Sequence, residues 1–313
     1  MQIIEKKNID ILKDGCAVTV GFFDGVHIGH RNLINQLKSI ALEQKLLSVV
    51  ITFAVHPHKI IQPDFQPELL TTLNEKIAQI ATTGVDACIV LDFNTTIADL
   101  SAYEFLKQVL KNQYNVHTLL VGHDHRFGKN RAEGLHQYQQ YGKELNIDVI
   151  KGMRFSTNEF EEISSSVIRK ALHQGKIPKA NDLLSYNYSI EGKVVNGFKM
   201  GRKLGFPTAN IQLEDSNKLI PMIGVYAVLI EYNQSLLTGM MNIGIRPTIE
   251  NGNKLSIEVH IFNFEGSIYN ENLNIQFVKM IRQERKFTSI DELIIQLHKD
   301  KIQAQEILDE YKK

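Results

Sequence analysis

The hydrophobic pattern of the chain changes once, near residue 184, and this change limits the folds open to it. Before it, near-continuous apolar runs alternate with stretches of helical periodicity; after it, short segments of alternating polarity follow one another. The first pattern is typical of a parallel sheet covered on both faces, and the second of an antiparallel barrel or sandwich. We therefore predict an α/β chain with two domains, residues 1–184 and residues 185–313, although no Pro- or Gly-rich linker marks the boundary.

The bulk composition supports two ordinary domains. The chain has 313 residues, of which 43% are hydrophobic, enough for two cores. A formal net charge of zero argues against a general binder of nucleic acids or acidic membranes. No apolar run approaches the roughly 20 residues that span a bilayer, and the charged N-terminus is unlike a signal peptide. Cys16 and Cys88 suit a reducing compartment, so we expect a cytoplasmic protein. We also expect it to be monomeric or weakly oligomeric, without nucleic-acid or membrane partners.

The first domain is predicted to be a doubly wound parallel sheet, because strand-like runs alternate with helical stretches. Ser101 and Glu104 form a capping-box pattern at the start of one of the helices. The predicted strands are Ala17–Gly21, Leu46–Phe53, Ala87–Phe93, His117–Gly122 and Ile147–Ile150, and the predicted helices include 74–83 and Ser101–Leu110.

A candidate anion site follows the first of these strands, where a short loop leads into a helix with histidines in its first turn. The residues concerned are Gly21, Phe22, Asp24, His27, Gly29 and His30. A helix N-terminus offers unpaired N–H groups and a partial positive charge, and imidazoles there can donate to phosphate oxygens. Two alternatives remain: surface histidines at a helix start, or a metal site, which lacks the glutamate and third ligand of the zinc-protease signature.

Two further stretches of the first domain carry polar groups. The loop 122–131 is basic and contains Asp124 and Asn130, and its alternative interpretation is a solvated charged loop. Ser164 and Ser165 precede a short helix that carries Arg169 one turn later. Serine here can be an ordinary N-cap, but hydroxyls, free N–H groups and a guanidinium also form a phosphate clamp.

These motifs together resemble a known family. Gly21–His30 resembles the HxGH signature of the nucleotidyltransferase superfamily, and Ile163–Arg169 resembles its ISSSxxR motif. Their spacing, and a loop similar to VGxDxRFGxxR between them, resemble the FMN adenylyltransferase module of bacterial FAD synthetases. His125 is one departure, because the family usually has an apolar aromatic residue at that position.

The resemblance implies roles for the residues of these motifs. His27 and His30 would be catalytic and would bind phosphate oxygens of ATP. The loop and the second motif would complete the ATP site, with the second motif holding the departing pyrophosphate, and the basic loop would contact the flavin or the adenine. The implied ATP- and phosphate-binding residues are Gly21, Phe22, Asp24, Gly29, His30, Ser164, Ser165 and Arg169, and the implied flavin contacts of this module are Asp124 and Asn130.

The second domain is predicted to be a small antiparallel six-stranded barrel, with a sandwich as the alternative, followed by an amphipathic helix or helix pair at Ser289–Tyr311. Its short strands are separated by turn residues such as Asn196-Gly197. The predicted strands are Tyr188–Val195, Thr208–Leu213, Val225–Tyr232, Leu236–Ile245, Lys254–Phe262 and Leu273–Ile281.

A glycine-rich basic loop before the second of these strands is a candidate phosphate site, although it lacks the ending of a Walker motif. Thr208 and Asn210 alternate at the strand start and offer neutral oxygens on one face, which with substrate phosphates suit Mg²⁺. A basic surface hairpin is the alternative. The phosphate-binding candidates in this loop are Gly197, Lys199, Gly201 and Lys203.

Glu258 stands between apolar neighbours in another predicted strand. It either faces solvent or faces the mouth of the barrel, where a carboxylate can accept the proton of an attacking hydroxyl.

The second domain also resembles a family. Gly205–Asn210 resembles the PTAN motif of riboflavin kinases, and Gly224–Ala227, Asn242–Thr248 and Glu258–Phe262 are similar to other blocks of that family, in the same order. This resemblance implies that Glu258 acts as the catalytic base, that Thr208 and Asn210 hold Mg²⁺, and that Arg246 contacts the flavin.

The two resemblances cover almost the whole chain, which is similar to bacterial bifunctional riboflavin kinases/FMN adenylyltransferases. The implied reactions convert riboflavin and ATP to FMN, and FMN and ATP to FAD with release of pyrophosphate. Three alternatives remain: an enzyme with only one of these activities, a different nucleotidyltransferase, which the barrel argues against, and a non-catalytic flavin or nucleotide sensor, which the intact polar groups of both sites argue against.

Overall fold

The structure is a computed structural model of the chain. It describes residues 1–62, 64–123, 125–155, 162–197, 201, 204–248 and 252–311, with the backbone alone at 6–7, 246–248 and 252–254. The chain divides into two compact units, Met1–Ser165 and Ser166–Lys313.

The first unit is built on one parallel sheet. Its strands are β1 (Gln2–Ile4), β2 (Cys16–Val20), β3 (Leu47–Phe53), β4 (Ala87–Leu91), β5 (Val116–Val121) and β6 (Asp148–Lys151). They pair in the order β1-β4-β3-β2-β5-β6. Every residue of the central strand β2 is buried, as a parallel sheet covered on both faces requires.

Helices connect these strands. They are α1 (Ile28–Gln44), α2 (Pro57–Ile61), α3 (Leu73–Ala81), α4 (Thr95–Ala98), α5 (Ala102–Glu104) and α6 (Leu135–Leu145). Helix α5 continues as a π-helix over Phe105–Gln113, and 3₁₀ turns occupy Lys6–Leu12, Asp24–Val26 and Lys129–Arg131.

The sheet is covered by helices on both faces. Successive side chains of a strand point to opposite faces, so neighbouring residues of β3 enter different cores. Ile51 packs in one core with Leu106 of the π-helix and Tyr138 of α6. Val50 packs in another with Ile34 of α1. This confirms the doubly wound α/β domain that the sequence predicts.

The second unit contains a closed antiparallel barrel. Its strands are β7 (Ser189–Val195), β8 (Ala209–Leu213), β9 (Gly224–Tyr232), β10 (Ser235–Thr248), β11 (Gly252–Ile261) and β12 (Asn272–Gln283). They close in the order β10-β11-β8-β7-β12-β9. Buried and exposed residues alternate along β7, the pattern of a strand with one face in a core.

Three helices accompany the barrel in the described part of the chain. They are α7 (Ser165–His173), α8 (Ile177–Leu184) and α9 (Ile290–Tyr311). Ala304 and Leu308 of α9 are buried against Phe206 and Met240, so one face of α9 covers this part of the barrel. Among the residues described, no helix is both long and apolar enough to cross a lipid bilayer.

The fold class is confirmed in both halves, with a barrel rather than a sandwich and one helix, α9, rather than a pair. The capping box at Ser101 and Glu104 is present. The short edge strand Gln2–Ile4 was not predicted from the sequence. The domain boundary after residue 184 stays a prediction. The two compact units divide at a different place, between Ser165 and Ser166.

Candidate active sites

The first candidate site lies at the carboxyl end of β2. From β2 the chain continues to β3 on one side, whereas β5 pairs with β2 on the other side, so the strand order reverses here. Ligands of open α/β sheets bind in the crevice outside such a reversal. The loop from Gly21 to His27, which joins β2 to α1, lies at this position.

The backbone of this loop is held in an uncommon conformation. Phe23, Gly25 and Val26 have positive φ angles of 54°, 77° and 38°. Positive φ costs energy for a β-branched residue such as Val26, and such outliers cluster at ligand-binding segments. Turns of this kind direct successive N–H groups into one concavity, which suits an anion.

The Asp24 side chain anchors the loop from inside. It is buried at 4% exposure, and its carboxylate accepts hydrogen bonds from Leu70 N (3.0 and 3.1 Å) and Thr71 N (3.1 Å). Its backbone carbonyl accepts from the Ser165 hydroxyl at 2.9 Å. A carboxylate with these hydrogen bonds holds the backbone of the loop in place, and it has no hydrogen to donate to a phosphate oxygen. A contact between Asp24 and ATP stays a prediction.

His27 caps helix α1. Its Nδ1 accepts a hydrogen bond from His30 N at 3.3 Å, so a neutral His27 carries its proton on Nε2. The two imidazoles are stacked, with centroids 3.6 Å apart and planes 15° apart. A Cβ at Gly29 would stand 3.2 Å from the His27 ring, so this approach suits glycine. The predicted pair of histidines therefore does lie together at a helix N-terminus.

His30 faces several basic groups. Burial lowers its pKa well below the usual range, and repulsion from His27, His125 and Lys76 lowers it further. In the described part of the chain its Nδ1 is buried and lacks a hydrogen-bond partner. A buried polar atom without a partner costs free energy, and an incoming phosphate oxygen would satisfy it once the nitrogen carries a proton.

Lys76 of α3 is a member of this site that sequence reasoning missed. Its ammonium donates to the carbonyl of Phe53 at 2.8 Å and lies 3.9 Å from the centre of the Phe22 ring. The available signal was its position four residues before Ile80, since both are buried on the same face of α3. A lysine on the apolar face of an amphipathic helix departs from the usual pattern.

The other residues predicted for this site lie on several different elements. The Ser165 hydroxyl donates a hydrogen bond to the Asp24 carbonyl of the loop, and Ser164 precedes Ser165 in the chain. Arg169 lies on α7, one turn after Ser165, within the second compact unit. Asn130 is exposed in a 3₁₀ turn at a φ of 61°. Asp124 lies outside the described residues.

The second candidate site is centred on Glu258 of β11. Its carboxylate accepts hydrogen bonds from the Thr208 hydroxyl at 2.9 Å and the Ser256 hydroxyl at 3.2 Å. Asn210 is its cross-strand partner on β8 and Asn242 its partner on β10, which places these side chains on one face. Glu258, Thr208 and Asn210, which were singled out from distant parts of the sequence, therefore lie together.

Backbone segments pack closely against these polar side chains. A Cβ at Gly197 would overlap with Asn210 Nδ2, and a Cβ at Gly201 would overlap with the Phe206 carbonyl oxygen. Substitution at either glycine would displace its neighbour. Arg246 lies on β10 and only its backbone is described, and Lys199 and Lys203 lie outside the described residues.

A cavity of about 330 Å³ opens beside Glu258. Its size is within the range of small-molecule sites. Glu258 and Thr208 line it together with apolar side chains such as Met240, Phe287 and Leu297. Glu258 therefore faces a cavity rather than open solvent, in a position to contact an alcohol held there.

Arg282 and Asp300 also line the cavity and were not predicted. Asp300 of α9 is fully buried, and its carboxylate accepts from Arg282 Nε at 2.9 Å and Arg282 Nη2 at 2.7 Å. Gln296 donates to the same carboxylate at 2.7 Å. The pair joins β12 to α9, a contact between distant residues that hydrophobic periodicity does not report.

Comparison with protein families matches both halves of the chain. A family model described as FAD synthetase matches residues 10–167, and a model described as riboflavin kinase matches residues 184–308.

Similar proteins match over nearly the full length. A Bacillus subtilis protein named bifunctional riboflavin kinase/FMN adenylyltransferase is 38% identical over 92% of this chain and 91% of its own. Proteins of the same name from Buchnera aphidicola and Escherichia coli K12 are 37% and 35% identical, each over 94% of this chain and over 94% and 93% of their own. The crystal structure of a macrolide-efflux protein from Streptococcus pneumoniae, 30% identical, superimposes with a TM-score of 0.86 over 97% of this chain and 99% of that one.

Proposed function

The chain belongs to the bifunctional riboflavin kinase/FMN adenylyltransferase family, and from this premise we propose which side chains carry out its two reactions. The riboflavin kinase domain phosphorylates riboflavin to FMN with ATP, and the FAD synthetase domain adenylylates FMN to FAD with release of pyrophosphate. We base the assignment on one observation: each compact unit holds its own cluster of polar groups, at His27 and His30 in one and at Glu258 in the other.

In adenylyl transfer, a phosphate oxygen of FMN attacks the α-phosphorus of ATP. The bond to the bridging oxygen of the β-phosphate breaks, and pyrophosphate leaves with that electron pair. Because the FMN phosphate is ionised at neutral pH, the reaction needs alignment and neutralisation of charge more than it needs a base.

His27 and His30 supply donors for this alignment. Because His27 Nδ1 accepts the hydrogen bond from His30 N, a neutral His27 carries its proton on Nε2. The His30 ring is stacked on the His27 ring. Both would donate to phosphate oxygens at the N-terminus of α1, where the helix dipole also favours an anion. Gly21, Phe22 and Asp24 would shape the loop that brings these donors to ATP, and Gly29 of α1 leaves room for the His27 ring.

We assign the remaining predicted groups of this module to the departing and flavin-bearing parts of the substrates. Ser164, Ser165 and Arg169 would hold pyrophosphate. The hydrogen bond that the Ser165 hydroxyl donates to the Asp24 carbonyl supports the closeness of this motif to the loop, and the single O–H of Ser165 would turn from that carbonyl to the pyrophosphate. Asp124 and Asn130 would contact the flavin or the adenine.

In the kinase, the terminal ribityl hydroxyl of riboflavin attacks the γ-phosphorus of ATP and ADP leaves. Glu258 would accept the proton of that hydroxyl, since its carboxylate lines the cavity. The hydroxyls of Thr208 and Ser256 hold the carboxylate in place. Gly197, Lys199, Gly201 and Lys203 would cover the phosphates of ATP, and Arg246 would contact the flavin.

Mg²⁺ is the cation that the donor set near Glu258 fits. Thr208 and Asn210 offer neutral oxygens on the face that also presents a carboxylate, and such hard oxygen donors with substrate phosphates suit Mg²⁺. When bound near these residues, the ion would supply positive charge that offsets the negative charge of the ATP phosphates.

We further propose a cytoplasmic enzyme, monomeric or weakly oligomeric, that takes small-molecule substrates and no nucleic acid. Cys16 and Cys88 are both buried and neither forms a disulfide, in keeping with a reducing compartment. The balanced formal charge of zero supports the absence of a polyanionic partner.

Product analysis tests the division of labour. We expect the chain, incubated with riboflavin, ATP and Mg²⁺, to form FMN and FAD. The variant His30→Ala should accumulate FMN and lose FAD formation by at least about 100-fold. The control His136→Ala removes an exposed histidine of α6 and should form both products.

The converse variant is Glu258→Gln, which should lose FMN formation by at least about 100-fold and still convert supplied FMN to FAD. Glu265→Gln, at an exposed position of the same unit, is its control. Loss of both activities in either active-site variant, with the protein still folded, would contradict the assignment.

A further inference from the structure

Lys76 is buried to an unusual degree for a lysine, at 2% exposure. Its ammonium touches two segments that end at the adenylyl transfer site: the carbonyl of Phe53, the last residue of β3, and the ring of Phe22, in the loop after β2. The Thr52 hydroxyl donates to the Phe22 carbonyl at 3.0 Å and joins the same two segments. Lys76 thus connects the strand ends that support the loop.

The charge of Lys76 is incompletely compensated. An ammonium has three donors, and among the described residues its hydrogen-bond partner is the Phe53 carbonyl, with no carboxylate oxygen at ion-pair distance. Asp24 acts on it only through longer-range attraction. A buried charge without a close counterion is destabilising, and a neutral side chain of similar shape would stabilise the fold better.

The position of this charge relates it to the chemistry of the site. The charged and titratable groups that face His30 are His27 from the start of α1, His125 from the loop after β5, and Lys76 from α3. Burial lowers the pKa of Lys76, and interactions with Asp24 of the loop and Cys88 of β4 oppose that decrease. The residue before His125, Asp124, lies outside the described part of the chain.

We propose that Lys76 is a positioning residue for adenylyl transfer. Its ammonium fixes the Phe22 ring and the end of β3, and at neutral pH it places a positive charge behind the loop that receives the phosphates of ATP and FMN. The same charge favours the neutral form of His30, which leaves that imidazole one donor and one acceptor. This role rests on the proposed function of His27 and His30.

Kinetics of charge-removing and charge-keeping variants test the proposal. Lys76→Met keeps the length and apolar stem of the side chain without its charge, and Lys76→Arg keeps the charge. We expect Lys76→Met to lower kcat for FAD formation by about tenfold or more, with riboflavin kinase activity unchanged. Lys76→Arg should retain most of that rate.

The matched control is Lys38→Met. Lys38 of α1 also donates to a backbone carbonyl, that of Thr83 at 2.6 Å, but it is not one of the charges that act on His30. We expect it to leave both activities unchanged. If Lys76→Met does not fold, Lys76→Gln, which keeps one donor for Phe53 without the charge, serves in its place.

A second readout separates the electrostatic role from simple packing. Titration of the His30 ring, followed by NMR, should show its pKa rise toward the usual value in Lys76→Met but not in Lys38→Met, because a like charge has been removed. An unchanged His30 titration together with an unchanged kcat would overturn the proposal.

Failure of this inference is distinguishable from failure of the proposed function. If His30→Ala forms FAD normally, the assignment of the histidines is wrong, and the inference about Lys76 falls with it. If His30→Ala loses FAD formation while Lys76→Met does not, only the role of Lys76 is wrong.

Discussion

Asp24 and Lys76, at the proposed adenylyl transfer site, are charged side chains that are both buried, and their charges are compensated in different ways. The Asp24 carboxylate accepts several hydrogen bonds from Leu70 and Thr71, so its charge is compensated by backbone donors. Among the described residues, the Lys76 ammonium has one carbonyl and one ring for partners, so much of its hydration is not replaced. The Asp24 carboxylate therefore stabilises the loop. The Lys76 ammonium lowers the stability of the fold, and we propose that its positive electrostatic potential favours an anionic substrate.

The free energy of unfolding should depend on pH in a way that measures the cost of burying the Lys76 charge. Burial lowers its pKa from 10.5 to about 8. Below pH 8 the side chain is protonated in the folded and the unfolded chain, so the full cost is present; between pH 8 and 10.5 the folded chain binds fewer protons, and the cost is relieved. Linkage gives a total of about 3 kcal/mol.

Urea unfolding of the wild type and of Lys76→Met at pH 7 and pH 9.5 measures this effect. We expect the free energy of unfolding of Lys76→Met, relative to wild type, to decrease as the pH rises, because only the wild type gains from deprotonation. A difference that is independent of pH would show that Lys76 titrates normally in the folded protein.

Which site residues could be predicted from the sequence depends on their chemistry. His27, His30 and Glu258 were found because an imidazole pair at a helix start, or a carboxylate within an apolar strand, departs from its local pattern. Lys76 and Asp300 lie on helices where a charged residue reads as solvent-exposed. For Lys76 the local signal is its place on the apolar face of α3, whereas the burial of Asp300 depends on tertiary contacts that local periodicity does not encode.

Among the secondary-structure elements, helix α9 has a particular role because it covers the barrel beside the cavity that Glu258 lines. Its attachment combines apolar contacts of Ala304 and Leu308 with the buried pair of Arg282 and Asp300. Asp300 is 1% exposed and Arg282 is 20% exposed, so water screens the pair only in part.

Asp300→Asn should loosen this attachment. The change keeps the shape of the side chain but leaves the Arg282 guanidinium without its counterion, at a cost of about 2–3 kcal/mol in the free energy of unfolding. We also expect KM for riboflavin to rise, because both residues line the cavity. Urea unfolding and kinase assays measure these effects.

Asp309→Asn is the control for this change, since Asp309 is exposed on the same helix. Equal stability of the two variants would contradict a structural role for the buried pair.

Strands were easier to predict than the contacts between them. Runs such as Leu46–Phe53 differ from the observed β3 by one residue, because burial on both faces demands an apolar side chain at nearly every position. The edge strand Gln2–Ile4 is short and mostly exposed, so it leaves no such run. The close approach of Gly197 to Asn210 likewise has no local signal beyond the glycine itself.

The whole molecule combines two units of different architecture, and each holds one cluster of polar groups, at His27 and His30 in the first and at Glu258 in the second. The change in hydrophobic periodicity near residue 184 predicts the two architectures, because sheet and barrel bury their strands differently. It does not fix the boundary, since α7 and α8 have the helical periodicity of the first half but belong to the second compact unit.

The most direct test of two separate active sites is complementation between variants. His30→Ala and Glu258→Gln, each alone with riboflavin, ATP and Mg²⁺, should form no FAD within the time in which the wild type converts its substrate. When the two proteins are mixed, FMN made by the first should diffuse to the second, and chromatography should show FAD. A mixture that forms FMN but no FAD, while Glu258→Gln alone converts supplied FMN, would contradict free exchange of FMN between chains. Failure of Glu258→Gln to convert supplied FMN would contradict the assignment of one reaction to each unit.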